Sequence, residues 1–148
     1  MRRERCDGMT LVEVLIALVV ISVGLLGVAA LQMVSLRNSQ GSYLRTQATA
    51  LADDIIDRMR ANRTAAIDPA LAYNIDFGET ITLGATPTQA QRDLFAWKNA
   101  LVAELPKTEG GDTADGSVVV DDNNMATVTI RWGERGADAI EFATSTEM

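Results

Sequence analysis

The sequence contains no histidine, and its one cysteine is Cys6. Without histidine, the side chain that most often moves protons or holds metals near neutral pH is missing. Acid–base or nucleophilic catalysis would then need a carboxylate pair or a Ser–Lys site, and neither Lys98 nor Lys107 has an evident partner in the sequence. A single cysteine cannot close a disulfide within the chain. Basic residues are outnumbered, 13 against 20 acidic ones, and the net charge is −7. That balance argues against nucleic acid or anionic lipid as a partner. Proline is absent before Pro69, so nothing of that kind interrupts a helix across the first 68 residues. No phosphate-binding loop or metal-ligand spacing occurs. Asp121, Asp122, Asn123 and Asn124 lie together but lack the twelve-residue loop with a closing Glu that calcium requires, and they read as a turn. The expectation is a protein without catalytic function, cofactor or metal.

What the chain does have is a long apolar run. From Met9 to Leu36 the only charged residue is Glu13. From Val14 to Leu31 the run is apolar except for Ser22, Gly24 and Gly27, which is long enough to span a bilayer as a helix. A core helix of a small soluble domain would show polar residues every third or fourth position, and this one does not. An ordinary secretory signal is the rival, since Val28-Ala29-Ala30 has the small-residue pattern of a cleavage site. Against it, the apolar segment is too long, Glu13 interrupts its start, and the pattern beyond Ala30 stays helical. The 148 residues suffice for one membrane-anchored domain.

Glu13 needs a reason. A carboxylate at the edge of hydrocarbon costs a few kcal/mol unless a cation meets it. No Lys or Arg follows within two helical turns; the nearest are Arg2, Arg3 and Arg5. If the chain were cut after Gly8, Met9 would carry a free amine four residues away, able to pair with Glu13 of a neighbouring helix. The alternative is a Glu13 solvated among lipid headgroups.

Gly8-Met9-Thr10-Leu11-Val12-Glu13 resembles the class III signal of type IV pilins and secretion pseudopilins. In that family a membrane-bound prepilin peptidase cuts after the glycine and N-methylates the new first residue. The glutamate that follows serves filament assembly. By resemblance these roles fall on Gly8, Met9 and Glu13. The family more often has Phe where this chain has Met9. Further segments are similar to minor pilins of the PilV type: Ser22-Val23-Gly24-Leu25-Leu26-Gly27, Leu36-Arg37-Asn38-Ser39-Gln40, Tyr43-Leu44-Arg45-Thr46-Gln47-Ala48 and Asp57-Arg58-Met59-Arg60-Ala61-Asn62. They cover most of the first 62 residues. Cys6 would leave with the leader, so the mature chain lacks the C-terminal disulfide of many major pilins. The leader carries three Arg against Glu4 and Asp7, so the chain without it stands at −8.

Beyond the apolar run, Leu44, Ala48, Leu51, Ile55 and Met59 recur every three or four residues and form one stripe, widened by Ala52 and Ile56. Asp53, Asp54, Asp57, Arg58 and Arg60 cover the other sides. One continuous helix from Met9 to about Asn62 would be roughly 80 Å long. Gly24, Gly27 and Gly41 are its weak points, each costing up to about 1 kcal/mol relative to Ala. In a bilayer the first two either permit close packing or local unwinding, or are simply tolerated. Asp68-Pro69 marks the end of the helix. Ile75–Phe77 and Thr80–Leu83 read as a small hairpin around Gly78. Thr86-Pro87-Thr88-Gln89 reads as a capping box that opens a helix at Pro87, running to about Glu104 with Leu94, Trp97, Leu101 and Leu105 on one face. Pro106 and Gly110-Gly111 stop it. Val118–Val120 then leads through the Asp121–Asn124 turn into a strand whose Ala126, Val128, Ile130 and Trp132 face inward. After a turn at Gly133–Gly136, Ile140 and Phe142 face inward from a last strand.

The expected fold is α+β and pilin-like, a long N-terminal helix packed on a small antiparallel sheet. The expected layout is a leader at 1–8, a transmembrane helix at 9–36, its amphipathic continuation at 37–63 and a periplasmic head at 64–148. The resemblance implies a minor pilin held once through the inner membrane with its C-terminal domain in the periplasm. It would join the pilus with other minor pilins, the major pilin, the assembly machinery and a tip adhesin, and so serve adhesion and twitching motility. A minor pseudopilin of a type II secretion system shares the same signal. From a different class, a membrane-anchored periplasmic binding module fits the anchor and the small domain.

Overall fold

The computed structural model describes residues 9–68, 70–108, 110–134 and 137–148. The leader with Gly8, the expected break at Pro69, and Arg135 and Gly136 of the last turn lie outside them. The elements are helices α1 (Leu11–Ala61), α2 (Arg63–Ala66) and α3 (Gln89–Glu104), then strands β1 (Asp115–Val120), β2 (Met125–Glu134) and β3 (Ala137–Glu147). Contacts divide the chain into two units, with the boundary between Gln40 and Gly41.

In the first unit α1 is exposed on every side. An 18-residue window of this helix is long and apolar enough to cross a membrane, and none of that window is buried. The Ser22 hydroxyl donates to the Leu18 carbonyl at 2.7 Å, which satisfies it within the helix. The helix continues through Gly24 and Gly27, with open space where a Cβ would stand.

The second unit is built on a three-stranded antiparallel sheet in the order β1-β2-β3. Strand period two places Val118 and Val120 beside Val128 and Ala126, and Ile130 and Trp132 beside Phe142 and Ile140. These side chains form the inner face. Ala126, Val128, Ile130 and Trp132 are fully buried, while Ile140 and Phe142 are half-buried against the same core. The stripe of α1 covers this face: Leu44, Ala48, Leu51, Ala52, Ile55, Ile56 and Met59 are all buried. Arg60 reaches Thr146 of β3 at 2.9 Å, and Arg63 reaches the Met148 carbonyl at 2.7 Å. Helix α3 packs toward β1 and is tied to α1 by the Trp97 indole, which donates to the Leu51 carbonyl at 2.9 Å. The α+β fold is thus a pilin-like one, with the amphipathic part of the long helix laid on a small sheet.

Three local expectations change. The hairpin at Ile75–Leu83 does not form. Ile75 instead pairs with Val118, exchanging two backbone hydrogen bonds of 2.9 Å, and Thr80–Leu83 is irregular. A strand partner was already available across the sheet, so Ile75 is buried there. The capping box is formed two residues later than expected. Thr88 Oγ1 accepts from the Gln91 N–H at 3.2 Å, and Gln91 Oε1 accepts from the Thr88 N–H at 3.0 Å. Thr86 and Thr88 both have Gln three residues on, so the local rule does not choose between them. Tertiary packing does, because α3 starts just before Ala90, the first of its buried residues. Gly41 is a site of close approach as well as a flexible point. It is buried, and the Glu134 carboxylate occupies the space its Cβ would need.

Candidate functional site

Of the signal residues, Met9 and Glu13 sit at the start of α1. Gly8 lies outside the described residues, and Met9 is exposed immediately before the helix. Thr10 caps the first turn, because the Glu13 N–H donates to its Oγ1 at 3.3 Å and to its carbonyl at 3.1 Å. Thr10-x-x-Glu13 is itself capping-box spacing, a signal in the residues that the motif reading passed over. Only half of the box is made: among the described residues nothing bonds to the Glu13 carboxylate. The acidic side chain also lies in the first turn, where the helix dipole favours negative charge. The arrangement therefore offers an exposed, uncommitted carboxylate one helical turn from Met9.

At the other end of α1 a polar cluster joins three segments. Asp93 of α3 is buried and accepts from Tyr73 Oη at 2.6 Å and from Gln89 Nε2 at 2.8 Å. Asn62 Nδ2 donates to Tyr73 Oη at 3.1 Å. Arg58 bonds Asp54 at 3.0 Å and lies 3.8 Å from Asp93. Burial, followed by the bond to Asp93, pushes the Tyr73 phenol up to about 12. Tyr73 therefore stays protonated and acts as a fixed donor.

Lys98, expected to be without a partner, is paired. Its Nζ lies 2.6 Å from Asp115 Oδ1 and donates to the Asp76 carbonyl at 3.2 Å. Asp115 also accepts from the N–H groups of Gly78, at 2.6 Å, and Gly116, at 2.8 Å. Burial pushes the Asp115 carboxyl up, but the Gly78 N–H, Lys98 and the Gly116 N–H outweigh it and hold it below the usual range. The two residues lie 17 apart with no motif between them, so only the fold brings them together. This ion pair ties the segment after Ile75 to α3 and β1, with the ammonium engaged by its partners.

The acidic turn after β1 is a turn. Asp121 Oδ1 accepts from the Met125 N–H at 2.8 Å and the Asn123 N–H at 2.9 Å, and Asn124 has φ of 60°. The Met125 N–H, opposed by slight desolvation and joined by Asn123, holds the Asp121 carboxyl low. Among the described residues no group of three or more His, Cys, Asp or Glu side chains could hold a metal.

Residues 3–29 match the family described as the Prokaryotic N-terminal methylation motif. The match spans Gly8, Met9, Glu13 and most of the apolar run. No curated protein and no solved structure matches the chain. The motif and the fold support a type IV pilin-like protein, a pilin or a pseudopilin, and so a structural protein. The motif implies processing by prepilin peptidase and assembly with a pilus machinery. With one exposed apolar helix beside it, it is consistent with membrane anchoring.

Proposed function

We propose that this chain is a minor pilin of the PilV type. The leader is removed by prepilin peptidase after Gly8, and Met9 becomes the N-methylated first residue. The apolar helix holds the protein in the inner membrane, with the head in the periplasm, until the subunit enters the fibre. There it primes assembly with other minor pilins, contacts the major pilin and supports a tip adhesin, and so contributes to adhesion and twitching motility.

The observation that carries the reading is the Glu13 carboxylate, which has no partner within the described chain and lies inside the matched motif. In hydrocarbon such a group is penalised, and a cation from outside the chain relieves the penalty. The N-terminal amine of an adjacent subunit supplies that cation. In water the pair contributes about 1 kcal/mol, and several times more where the dielectric is low. It also sets axial register, because only the matched stagger pairs the charge.

Two measurements test this. Intact mass of the membrane-extracted protein is expected to give a chain starting at methylated Met9, whereas a start at Leu31 would indicate an ordinary secretory signal. Glu13→Ala is expected to stay inserted and cleaved, yet to fall in the ratio of subunit in sheared pili to subunit in the inner membrane. An unchanged ratio for both Glu13→Ala and Glu13→Gln would remove Glu13 from assembly. The type II pseudopilin shares the signal and differs in destination: it would be absent from sheared pili, and its loss would block secretion.

A further inference from the structure

The two edges of the sheet differ. The β1 edge is closed by Ile75, which bridges to Val118, and by Asn74, whose Oδ1 takes the Val120 N–H at 2.9 Å. The β3 edge is open. Among the described residues, no backbone hydrogen bond leaves Ala137–Glu147 on the side away from β2. The strand is 11 residues long, about twice the common length. It contains no proline, and the one register irregularity falls at the hairpin end, between Trp132 and Glu134. The strand is therefore neither short, proline-blocked nor bulged along its length, and the charges it carries there are acidic.

We propose that the β3 edge receives an extended segment of a different protein, an amphipathic strand with apolar residues on one face and Lys or Arg on the other. The two faces of β3 define that chemistry. On the inner face Ile140 and Phe142 pack against the core yet stay half-buried, with no further strand among the described residues to cover them. On the outer face Glu141, Ala143, Ser145 and Glu147 are exposed; the register sets Arg131 of β2 opposite Glu141 and Met125 opposite Glu147, and among the described residues neither carboxylate makes an ion pair. The nearest cation of β2 on that face, Arg131, lies over the Phe77 ring at 4.5 Å. Opposite charges on neighbouring strands attract and like charges repel. A second copy would bring the two pairs of glutamates together in a chain of net charge −7, which disfavours self-pairing. Main-chain hydrogen bonds would supply affinity, and the alternating side chains specificity. The inference rests on the sheet alone and is independent of the assembly role above.

The test uses the full chain in detergent micelles and three synthetic peptides: alternating Val and Lys, alternating Val and Glu, and the Val–Lys peptide N-methylated along its whole backbone. The Val–Lys peptide is expected to bind and to slow hydrogen exchange at alternate amides of β3. The Val–Glu peptide is expected to bind at least about tenfold more weakly. N-methylation keeps the charge but removes the donors, so binding is expected to be lost. The exposed double variant Glu141→Lys/Glu147→Lys is expected to reverse the preference between the first two peptides. Equal binding by the N-methylated peptide would overturn the proposal, as would protection confined to residues outside β3. Sedimentation showing that the chain pairs with itself through β3 would overturn the choice of partner.

Discussion

The two parts of α1 share one backbone conformation and differ in what surrounds them. From Leu11 to Gln40 every residue is exposed, and apolar side chains point in all directions. From Gly41 to Ala61 eight residues are buried on one face, and the charged ones lie elsewhere. An all-round apolar surface gains nothing by turning toward a core and suits lipid; a stripe suits a sheet. One helix thus carries two patterns, and the change of pattern falls where the two units divide.

The largest test of that difference is in the head. Trp132 is fully buried, and Trp132→Ala is expected to cost about 3–5 kcal/mol in denaturant unfolding of the head, with membrane insertion unchanged. Trp132→Phe is expected to cost much less, because among the described residues the buried indole N–H has no acceptor and its removal leaves nothing unpaired. The reciprocal change is Ile21→Asp. A charge at the centre of a spanning helix disfavours insertion by about 2.5–3.5 kcal/mol, while the melting of the head should not move. A loss of head stability in this variant would break the comparison.

Acid offers a third test, confined to the head. Asp115 is held low in the folded state, so the unfolded chain binds its proton more readily. Its contribution is full above the ordinary carboxylate pKa, near about 4, and is lost as pH falls through the lower folded value. Asp115→Asn is expected to be less stable than wild type at neutral pH, with the gap narrowing below about pH 4 in acid titrations of the melt. The smallest effect is expected at the junction. Gly41→Ala adds helix propensity of up to about 1 kcal/mol but displaces the flexible end of Glu134. A net change between about zero and +1 kcal/mol is expected. A large destabilisation would mean that Glu134 cannot move away.

Much of this was legible because its signals are local. The apolar run, the stripe from Leu44 to Met59 and the alternation from Ala126 to Trp132 each repeat with the period of one element, and the buried faces follow those periods. The motif match over residues 3–29 is contiguous for the same reason, and the start of α1 after Thr10 depends on adjacent residues. Local rules failed where two candidates were equivalent or the partner was remote. Thr86 and Thr88 both had the spacing for a cap, and burial of Ala90 chose the second. Ile75 had β propensity, but its partner Val118 is 43 positions on.

What the sequence by itself determined, then, is which faces of the head are buried and where the helix changes pattern, since hydrophobic burial is read from the spacing of side chains along one element. Only the tertiary structure decided which polar groups meet. Lys98 finds Asp115, Tyr73 finds Asp93, and β1 is closed while β3 stays open. Hydrogen bonds and ion pairs act over about 3 Å and carry direction, so they depend on how elements dock, which no single stretch of the chain encodes.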